Sequence, residues 1–241
     1  MDRRHDKTDM TTMVSGPQAE LLDRWRTLRH ELDTHGVQLL AVSKYAAEAD
    51  VAFLIDAGQR DFAESRPQQL RDRAQRYPDV RWHMIGSLQH NKAKYIARYA
   101  AMWHSVEDVR TARAVAGYVV DRRLPVLIQV NICGLAQRHG VQVDGLPELL
   151  QAVQDMPQLQ VIGLMCMASQ ASQAGDVFRT LHGLRGMLMS GSLCGTEGLQ
   201  REQFQALKLC MGMSGDYRAA LAVGTDMVRI GSGLFDSISQ G

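Results

Sequence analysis

Lys44 is the first residue with the type and position to do chemistry. It ends the stretch LLAVSK, in which four apolar residues and a serine (39–43) precede the lysine. A continuous apolar run of this kind is typical of a strand buried on both faces. An amine held where such a strand ends is placed to attack a carbonyl and form a Schiff base. Lysine is also a common residue at which a strand leaves the core, so this stretch alone leaves both interpretations open.

Two glycine–serine stretches later in the chain have the composition of an anion site. They are GMSGD, which contains Ser214, and RIGSG, which contains Gly231 and Ser232. Glycine lets the backbone approach a ligand closely, and free N–H groups at a helix start bind phosphate. Ser214 is therefore expected to open a helix that faces the site, and Ser232 to add a hydroxyl. An ordinary turn is the alternative for each stretch taken alone.

Arg229 is a candidate partner for an aromatic heterocycle. It lies two residues before Gly231 and is therefore expected to point to the same side of its strand. A guanidinium there would donate a hydrogen bond to a ring nitrogen and keep that nitrogen unprotonated. The alternative is that Arg229 forms one half of a structural ion pair.

Strands and helices alternate along the chain in one uninterrupted series. Apolar runs such as 39–42 and 126–132 are typical of buried strands, and segments with helical spacing follow them. The S-x-x-D pattern at Ser105 and Asp108 predicts a capping box that opens a helix through about Tyr118. Eight such units in 241 residues match a closed (β/α)8 TIM barrel of about 250 residues. An open doubly wound sheet is the competing fold, but no G-x-G-x-x-G pattern follows the first strand.

A closed barrel would bring these chemical groups together. Its eighth strand lies beside its first, so Lys44, Ser214 and the pair Gly231 and Ser232 would share the C-terminal rim, where this fold builds its active sites. The loops after the seventh and eighth strands are the usual phosphate cradle of the fold. An amine beside a phosphate site indicates a ligand with both a carbonyl and a phosphate, and pyridoxal 5′-phosphate meets both requirements.

Composition and charge narrow the class of protein. Hydrophobic residues make up 45% of the chain and charged residues 22%, and the net charge of +1 indicates neither a nucleic-acid surface nor a membrane surface. The four cysteines are far apart without zinc-ligand spacing, which is typical of reduced cysteines in a cytoplasmic protein, and no metal site is expected. We expect a disordered tail over residues 1–16, with Met10 and Met13 as alternative starts, and a single barrel over 17–241.

Six longer stretches carry a family resemblance and span most of the chain from about residue 37 to 235: LLAVSK, IDAGQRDFAES, WHMIGSLQHNK, VLIQVNI, GLMCMA and LCMGMSGDYRAALAVGTDMVRIGSGLF. Together they resemble the pyridoxal phosphate homeostasis proteins, a single-domain version of the alanine racemase-type barrel without a C-terminal β domain. The resemblance implies that Lys44 carries the cofactor as a Schiff base. It also implies phosphate contacts from Ser214 and the backbone of Gly231 and Ser232, with Arg229 at the ring nitrogen.

The chain departs from the pattern of this family at several positions. FAES replaces the usual F-G-E-N, so Ala63 stands for a glycine and Ser65 for an asparagine near the cofactor. The shorter Ser65 side chain is expected to lose a contact to the ring. Cys210 stands where the family commonly has serine. The usual S-K-x-G turn is replaced by QRHG, in which Arg138 keeps the positive charge. Asp236 adds a negative charge near the last helix. These changes indicate a diverged paralogue.

His83, in the stretch WHMIGSLQHNK, has two interpretations. It contacts the cofactor at the end of the third strand, or it packs inside the protein with its hydrogen bonds satisfied. We include it among the candidate cofactor-binding residues, which are Lys44, Ser65, His83, Ser214, Arg229, Gly231 and Ser232.

Little or no catalysis is expected from these residues. A racemase of this barrel type needs two bases on opposite sides of the amino acid, and in the alanine racemases a second domain delivers a tyrosine as one of them. None of the six tyrosines lies in a matching motif, and Tyr45 is expected to point away from Lys44. The leading hypothesis is a monomeric or weakly dimeric carrier that holds the cofactor for apo-enzymes, in vitamin B6 and amino-acid homeostasis. The alternatives are a pyridoxal phosphate-dependent amino-acid racemase and a phosphosugar enzyme with a Schiff base on Lys44.

Overall fold

The computed structural model describes residues 16–199 and 204–235. Two features discussed from the sequence lie outside the described residues: the predicted tail, apart from Gly16, and Asp236, which departs from the family pattern. Within them the strands are β1 Gln38–Val42, β2 Asp61–Glu64, β3 Arg81–Met84, β4 Met102–Val106, β5 Leu124–Asn131, β6 Val141–Gln142, β7 Leu159–Met165, β8 Lys208–Met213 and β9 Met227–Ile230. The helices are α1 Pro17–Thr34, α2 Glu48–Asp56, α3 Pro67–Arg76, α4 Ala93–Tyr99, α5 Val109–Ala116, α6 Leu146–Gln154, α7 Ala174–Ser190, α8 Tyr217–Val223 and α9 Ser232–Phe235.

Eight parallel strands close into a barrel, which confirms the predicted fold. The order is β4-β3-β2-β1-β9-β8-β7-β5, and a pairing between β4 and β5 joins the two ends. β9 lies beside β1 in the register Leu40↔Arg229, so the last strand meets the first as expected. The two-residue β6 was not predicted; it pairs with the end of β5 through Val130↔Val141 and stands outside the ring.

Side chains alternate between the inside of the barrel and the helical layer around it. Successive residues of a strand point to opposite faces, so Leu39 and Ala41 pack in the large cluster with the helices. A second, smaller cluster contains Leu40, Ala63, Leu127, Met165, Cys210 and Met227. Ala63 and Cys210, two of the departures from the family pattern, are fully buried in this inner cluster. No helix in the described segments has the length and apolarity needed to span a membrane.

Two helix starts differ from the sequence predictions. α5 begins with Asp108 alone as its cap, since the Thr111 N–H donates to Asp108 Oδ1 at 2.7 Å, and it ends at Ala116 rather than Tyr118. Ser105 takes no part in this cap because it is a buried residue of β4, where its hydroxyl donates to the Gly86 carbonyl at 2.6 Å.

Ser214 does not open a helix either. α8 begins at Tyr217, with Asp216 as its N-cap residue. The Asp216 carboxylate accepts a hydrogen bond from the Met213 N–H at 2.6 Å and closes a turn over Ser214. This turn leaves Ser214 outside the helix, and the Asp216 side chain forms no capping hydrogen bond to the first turn of α8.

Candidate functional site

A cavity of about 600 Å³ lies where the C-terminal ends of the strands meet. Its wall is largely apolar and includes Val42, Ile85, Met167, Met213 and Phe235. Six of the seven predicted residues line this one cavity: Lys44, Ser65, Ser214, Arg229, Gly231 and Ser232. They arrive from β1, β2, β8 and β9, which are far apart in sequence and consecutive in the ring.

Lys44 follows β1 by two residues and is half-buried at the mouth of the cavity. Its Nζ lies 5.0 Å from the centroid of the Tyr45 ring, and Tyr45 itself lines the cavity. The expectation that Tyr45 points away from the site is therefore wrong, because the chain leaves its extended strand conformation at Val42. Across residues 16–199 and 204–235, no carboxylate forms an ion pair with Lys44. Its amine is thus available to a carbonyl.

A buried ionic cluster fixes the backbone just before Lys44. The Ser43 hydroxyl donates to Glu64 Oε1 at 2.7 Å, and Arg73 Nη1 donates to the same oxygen at 2.7 Å. Arg73 also donates to the Ser43 carbonyl at 2.9 Å and to the Ala46 carbonyl at 3.1 Å. Burial raises the pKa of Glu64, and the Arg73 charge opposes that shift. The sequence reasoning missed this cluster because α3, which carries Arg73, shows no motif.

Arg229 forms the floor of the cavity. Its guanidinium donates to the Cys166 and Cys210 carbonyls, both at 2.9 Å, and to Cys210 Sγ at 3.2 Å. No carboxylate among the described residues pairs with it, so the structural ion pair considered from the sequence is not formed there. The guanidinium is buried and bonded to two backbone carbonyls, and Arg229 lines the cavity.

The two glycine–serine loops meet at the cavity edge. The Gly233 N–H donates to Ser214 Oγ at 3.0 Å, which joins the loop after β8 to the start of α9. A Cβ on Gly231 would lie 3.3 Å from the Val42 carbonyl oxygen, so this position favours glycine where β9 passes β1. The hydroxyls of Ser214 and Ser232 and the glycine amides therefore lie together, as a phosphate cradle requires.

His83 does not line the cavity, in contrast to the prediction that includes it among the cofactor contacts. It is buried inside the barrel, where its Nε2 lies 3.1 Å from Asp61 Oδ1 and its Nδ1 lies 2.8 Å from His104 Nε2. The alternative, a histidine with satisfied hydrogen bonds, describes this position. His83 lies within β3, one residue before its end, and its ring bonds to Asp61 and His104 inside the protein.

Asp61 anchors this interior chain of hydrogen bonds at the opposite end of the barrel. Burial opposes its ionisation, but hydrogen bonds from His83 and Arg81 outweigh burial and hold the pKa of the Asp61 carboxyl far below its ordinary value. Burial also lowers the pKa of His104, and the charges of His83 and Arg229 add to that effect. His104 is therefore neutral, and its buried Nδ1 has no hydrogen-bond partner within the described part of the chain.

Sequence reasoning missed a second polar group at the cavity wall. Ser87 and His139 both line the cavity, and His139 Nε2 lies 3.1 Å from Ser87 Oγ. On its other side His139 Nδ1 lies 3.2 Å from Glu107 Oε1. The three residues come from three separate loops and match no local pattern, so only the fold brings them together.

Comparisons with known proteins agree with this fold and site. A sequence model of the family described as alanine racemase, N-terminal domain, matches residues 18–237. The alanine racemase of Corynebacterium glutamicum shares the fold, with 16% identity and a TM-score of 0.64 over 90% of this chain and 60% of that one. PipY of Synechococcus elongatus, in a structure with PLP bound, is 29% identical, with a TM-score of 0.76 over 89% of this chain and 99% of that one.

Curated relatives identify a more specific family within the class of alanine racemase-like barrels. The pyridoxal phosphate homeostasis protein of Schizosaccharomyces pombe is 37% identical over 220 residues, covering 87% of this chain and 88% of that protein. The protein of the same description in Escherichia coli strain K12 is 34% identical over 210 residues, covering 83% and 85%. The chain belongs to the family of pyridoxal phosphate homeostasis proteins.

Proposed function

We propose that this protein binds pyridoxal 5′-phosphate, holds it as a Schiff base on Lys44, and serves cofactor homeostasis. One observation carries the proposal: an amine with no ion-pair partner among the described residues, a buried guanidinium and two glycine–serine loops line a single cavity. The cofactor has three groups to match, namely an aldehyde, a ring nitrogen and a phosphate. Each of them has a chemically suitable partner within one cavity of about 600 Å³.

Each side chain has a distinct task in this proposal. The bound cofactor would supply an electrophilic aldehyde and an electron-withdrawing ring. Lys44 provides the nucleophilic amine, and Ser214, Gly231 and Ser232 provide hydroxyl and amide donors for the phosphate. Arg229 donates to the ring nitrogen and holds that nitrogen without a proton, since a guanidinium has no hydrogen-bond acceptor. Ser65, at the wall, is the candidate contact to the side of the ring.

The openness of this site supports a role as a carrier. Tyr45, beside Lys44, is 75% exposed, so the amine lies close to solvent and to an approaching apo-enzyme. We propose transfer of the cofactor to such enzymes by a monomer or weak homodimer in the cytoplasm. The four free cysteines, one of them exposed, support a reducing compartment.

The phosphosugar alternative fits the cavity less well. A sugar hydroxyl needs polar partners, whereas the cavity wall is largely apolar and includes Val42, Ile85, Met167 and Met213. These side chains suit the flat face of an aromatic ring. The racemase alternative requires a second base in addition to Lys44, and no tyrosine of the sequence lies in a matching motif for that role.

The test is the visible spectrum of the purified protein after incubation with pyridoxal 5′-phosphate, before and after borohydride. We expect a yellow band that borohydride abolishes, with the pyridoxyl mass on the peptide that contains Lys44. Lys44→Ala should abolish the band, whereas Lys208→Ala, at the opposite end of the barrel, should keep it. A protein that stays colourless with added cofactor would refute the proposal.

A further inference from the structure

A second cavity, of about 610 Å³, lies at the opposite end of the barrel from the cavity that contains Lys44. The first residues of three neighbouring strands line it: Gln38 of β1, Asp61 of β2 and Arg81 of β3. Because these strands are parallel, their first residues share the N-terminal end of the barrel. This N-terminal cavity has no lining residue in common with the candidate cofactor site.

Three guanidinium groups from three separate elements line the N-terminal cavity. Arg29 belongs to α1, Arg60 to the loop before β2, and Arg81 to β3. Two carboxylates, those of Asp33 and Asp61, also line it. The wall therefore carries an excess of positive charge, which favours an anionic ligand.

Both carboxylates already contact one of these arginines. The Asp61 oxygens accept hydrogen bonds from Arg81 Nε at 2.6 Å and from Arg81 Nη2 at 2.5 Å. Arg81 Nη1 takes no part in that pair. Asp33 Oδ1 lies 3.5 Å from Arg29 Nη2, which is a looser contact. The charge of Asp61 is thus compensated within the wall.

Arg60 is held in place by groups that carry no charge. Its Nη1 donates to the Ile55 carbonyl at 2.6 Å and to the Gln59 carbonyl at 3.0 Å. No carboxylate within residues 16–199 and 204–235 pairs with it. A guanidinium has five N–H groups, and those on Nε and Nη2 of Arg60 form no hydrogen bond to a described residue. Its charge and three of its donors are therefore available to a ligand.

The segment that carries Arg60 is fixed on both sides by the buried side chain of Gln59. Gln59 Oε1 accepts a hydrogen bond from Trp25 Nε1 at 3.0 Å. Its Nε2 donates to the Leu39 carbonyl at 3.1 Å and to the Asp61 carbonyl at 2.7 Å. One side chain thus joins α1, β1 and β2 around the N-terminal cavity. Donors held in this way lose less freedom when a ligand binds.

The directions of the donors favour a phosphate group over a carboxylate. A carboxylate has two coplanar oxygens, and one guanidinium fork satisfies it, as Arg81 satisfies Asp61. The oxygens of a phosphate group point in several directions, so guanidinium groups from separate elements can bond it at the same time. The cavity volume of about 610 Å³ also leaves room for the organic part of a phosphorylated molecule.

We propose that the N-terminal cavity binds the phosphate of a small molecule, as a monoester or a diphosphate. Arg60 is the main contact in this site, and Arg29 and Arg81 bond the phosphate from either side. The proposal does not rest on the proposed function, because the two cavities lie at opposite ends of the barrel. It gives the protein a second ligand, which binds while the cofactor stays on Lys44.

The experiment is a calorimetric titration with pyrophosphate and with inorganic phosphate. It uses protein in which borohydride has fixed the cofactor on Lys44, so that the phosphate cradle at the other end is occupied. We expect one ion to bind per chain, and Arg60→Gln to weaken binding about tenfold. Arg123→Gln is the matched control and should bind as the unchanged protein does. Arg123 is also exposed and also donates to backbone carbonyls, but it does not line the cavity.

A second variant is expected to change the affinity in the opposite direction. Asp33→Asn removes a negative charge from the wall and frees Arg29 from its contact. We expect phosphate binding to become about threefold tighter, and the difference to shrink as the salt concentration rises. Damage to the fold would not strengthen binding, so this result separates a direct contact from a structural effect.

The outcomes decide the proposal independently of the carrier function. Absence of saturable binding, or equal affinities of Arg60→Gln and Arg123→Gln, would overturn the site. Succinate that binds as tightly as pyrophosphate would overturn the assignment to phosphate. Much tighter binding of pyrophosphate than of phosphate supports a diphosphate ligand, and similar affinities support a monoester. A protein that fails to load the cofactor refutes the attachment to Lys44, whereas the two arginine variants of the unloaded protein still decide the N-terminal site.

Discussion

Replacement of Arg73 by methionine tests the idea that a buried ionic cluster holds the strand end that carries Lys44. Arg73 is 5% exposed, and its partner Glu64 is fully buried. The guanidinium bonds Glu64 Oε1 at 2.7 Å and two backbone carbonyls, those of Ser43 and Ala46. Methionine fills much of the same volume and bonds none of them.

The cost of this replacement follows from the groups left behind. A buried carboxylate without its cation and two carbonyls without their donor remain. Removing one partner of a buried ion pair costs about 3–5 kcal/mol. A typical domain has about 5–15 kcal/mol of stability in total, so Arg73→Met should bring the protein close to unfolding.

The assay is urea unfolding at pH 7, followed by circular dichroism. Arg73→Met should shift the midpoint strongly downward, whereas Arg71→Met, in the same helix, breaks an ion pair with the exposed Asp72 and should shift it much less. The double variant Arg73→Met/Glu64→Met removes both charges and should recover most of the loss. A double variant no more stable than Arg73→Met alone would refute the reasoning, because the uncompensated Glu64 charge would then not be the cause.

Three further predictions concern other parts of the barrel. The native pKa of Asp61 lies below the ordinary value of about 3.9, so its contribution to stability is present above that pH and is lost as the pH falls further. Asp61→Asn should therefore lower the urea midpoint at pH 7 more than at pH 3, and an equal loss at both would contradict this. Burial raises the pKa of Cys166 to about 12, so iodoacetamide at pH 8 should label the exposed Cys194 and spare Cys166 until urea is added, as peptide masses would show. Gly86→Ala should lower the melting temperature and weaken cofactor binding together, because the new Cβ would overlap the Ser65 backbone at the cavity wall.

The barrel and the main residues of the site follow from features that are local in sequence. Alternating strands and helices predict the closed ring, and a closed ring places the last strand beside the first. That adjacency alone brings Lys44 together with Ser214 and Arg229, without knowledge of any side-chain contact.

Features that depend on exact register or on several loops were not predictable. Whether His83 faces the cavity or lies below its floor depends on where β3 ends, and a difference of one or two residues changes the answer. The start of α8 at Tyr217 rather than at Ser214 was not predictable either, because serine and aspartate are both common at the position before a helix. Glu107 and His139 are 32 residues apart in sequence and lie on different loops, so no local sequence pattern predicts their contact.

Backbone groups, rather than the residue types that depart from the family pattern, hold Arg229 and the strand end before Lys44. Cys210 is a weaker hydrogen-bond partner than serine, yet Arg229 is oriented by the carbonyls of Cys166 and Cys210, which any residue type supplies. The backbone before Lys44 is held in the same way, through the Ser43 carbonyl and the guanidinium of Arg73. A change of side chain at Cys210 therefore leaves these backbone contacts of Arg229 in place. Ser65 is different, because Ser65 itself lines the cavity, and we expect a substitution there to act directly on the affinity for the cofactor.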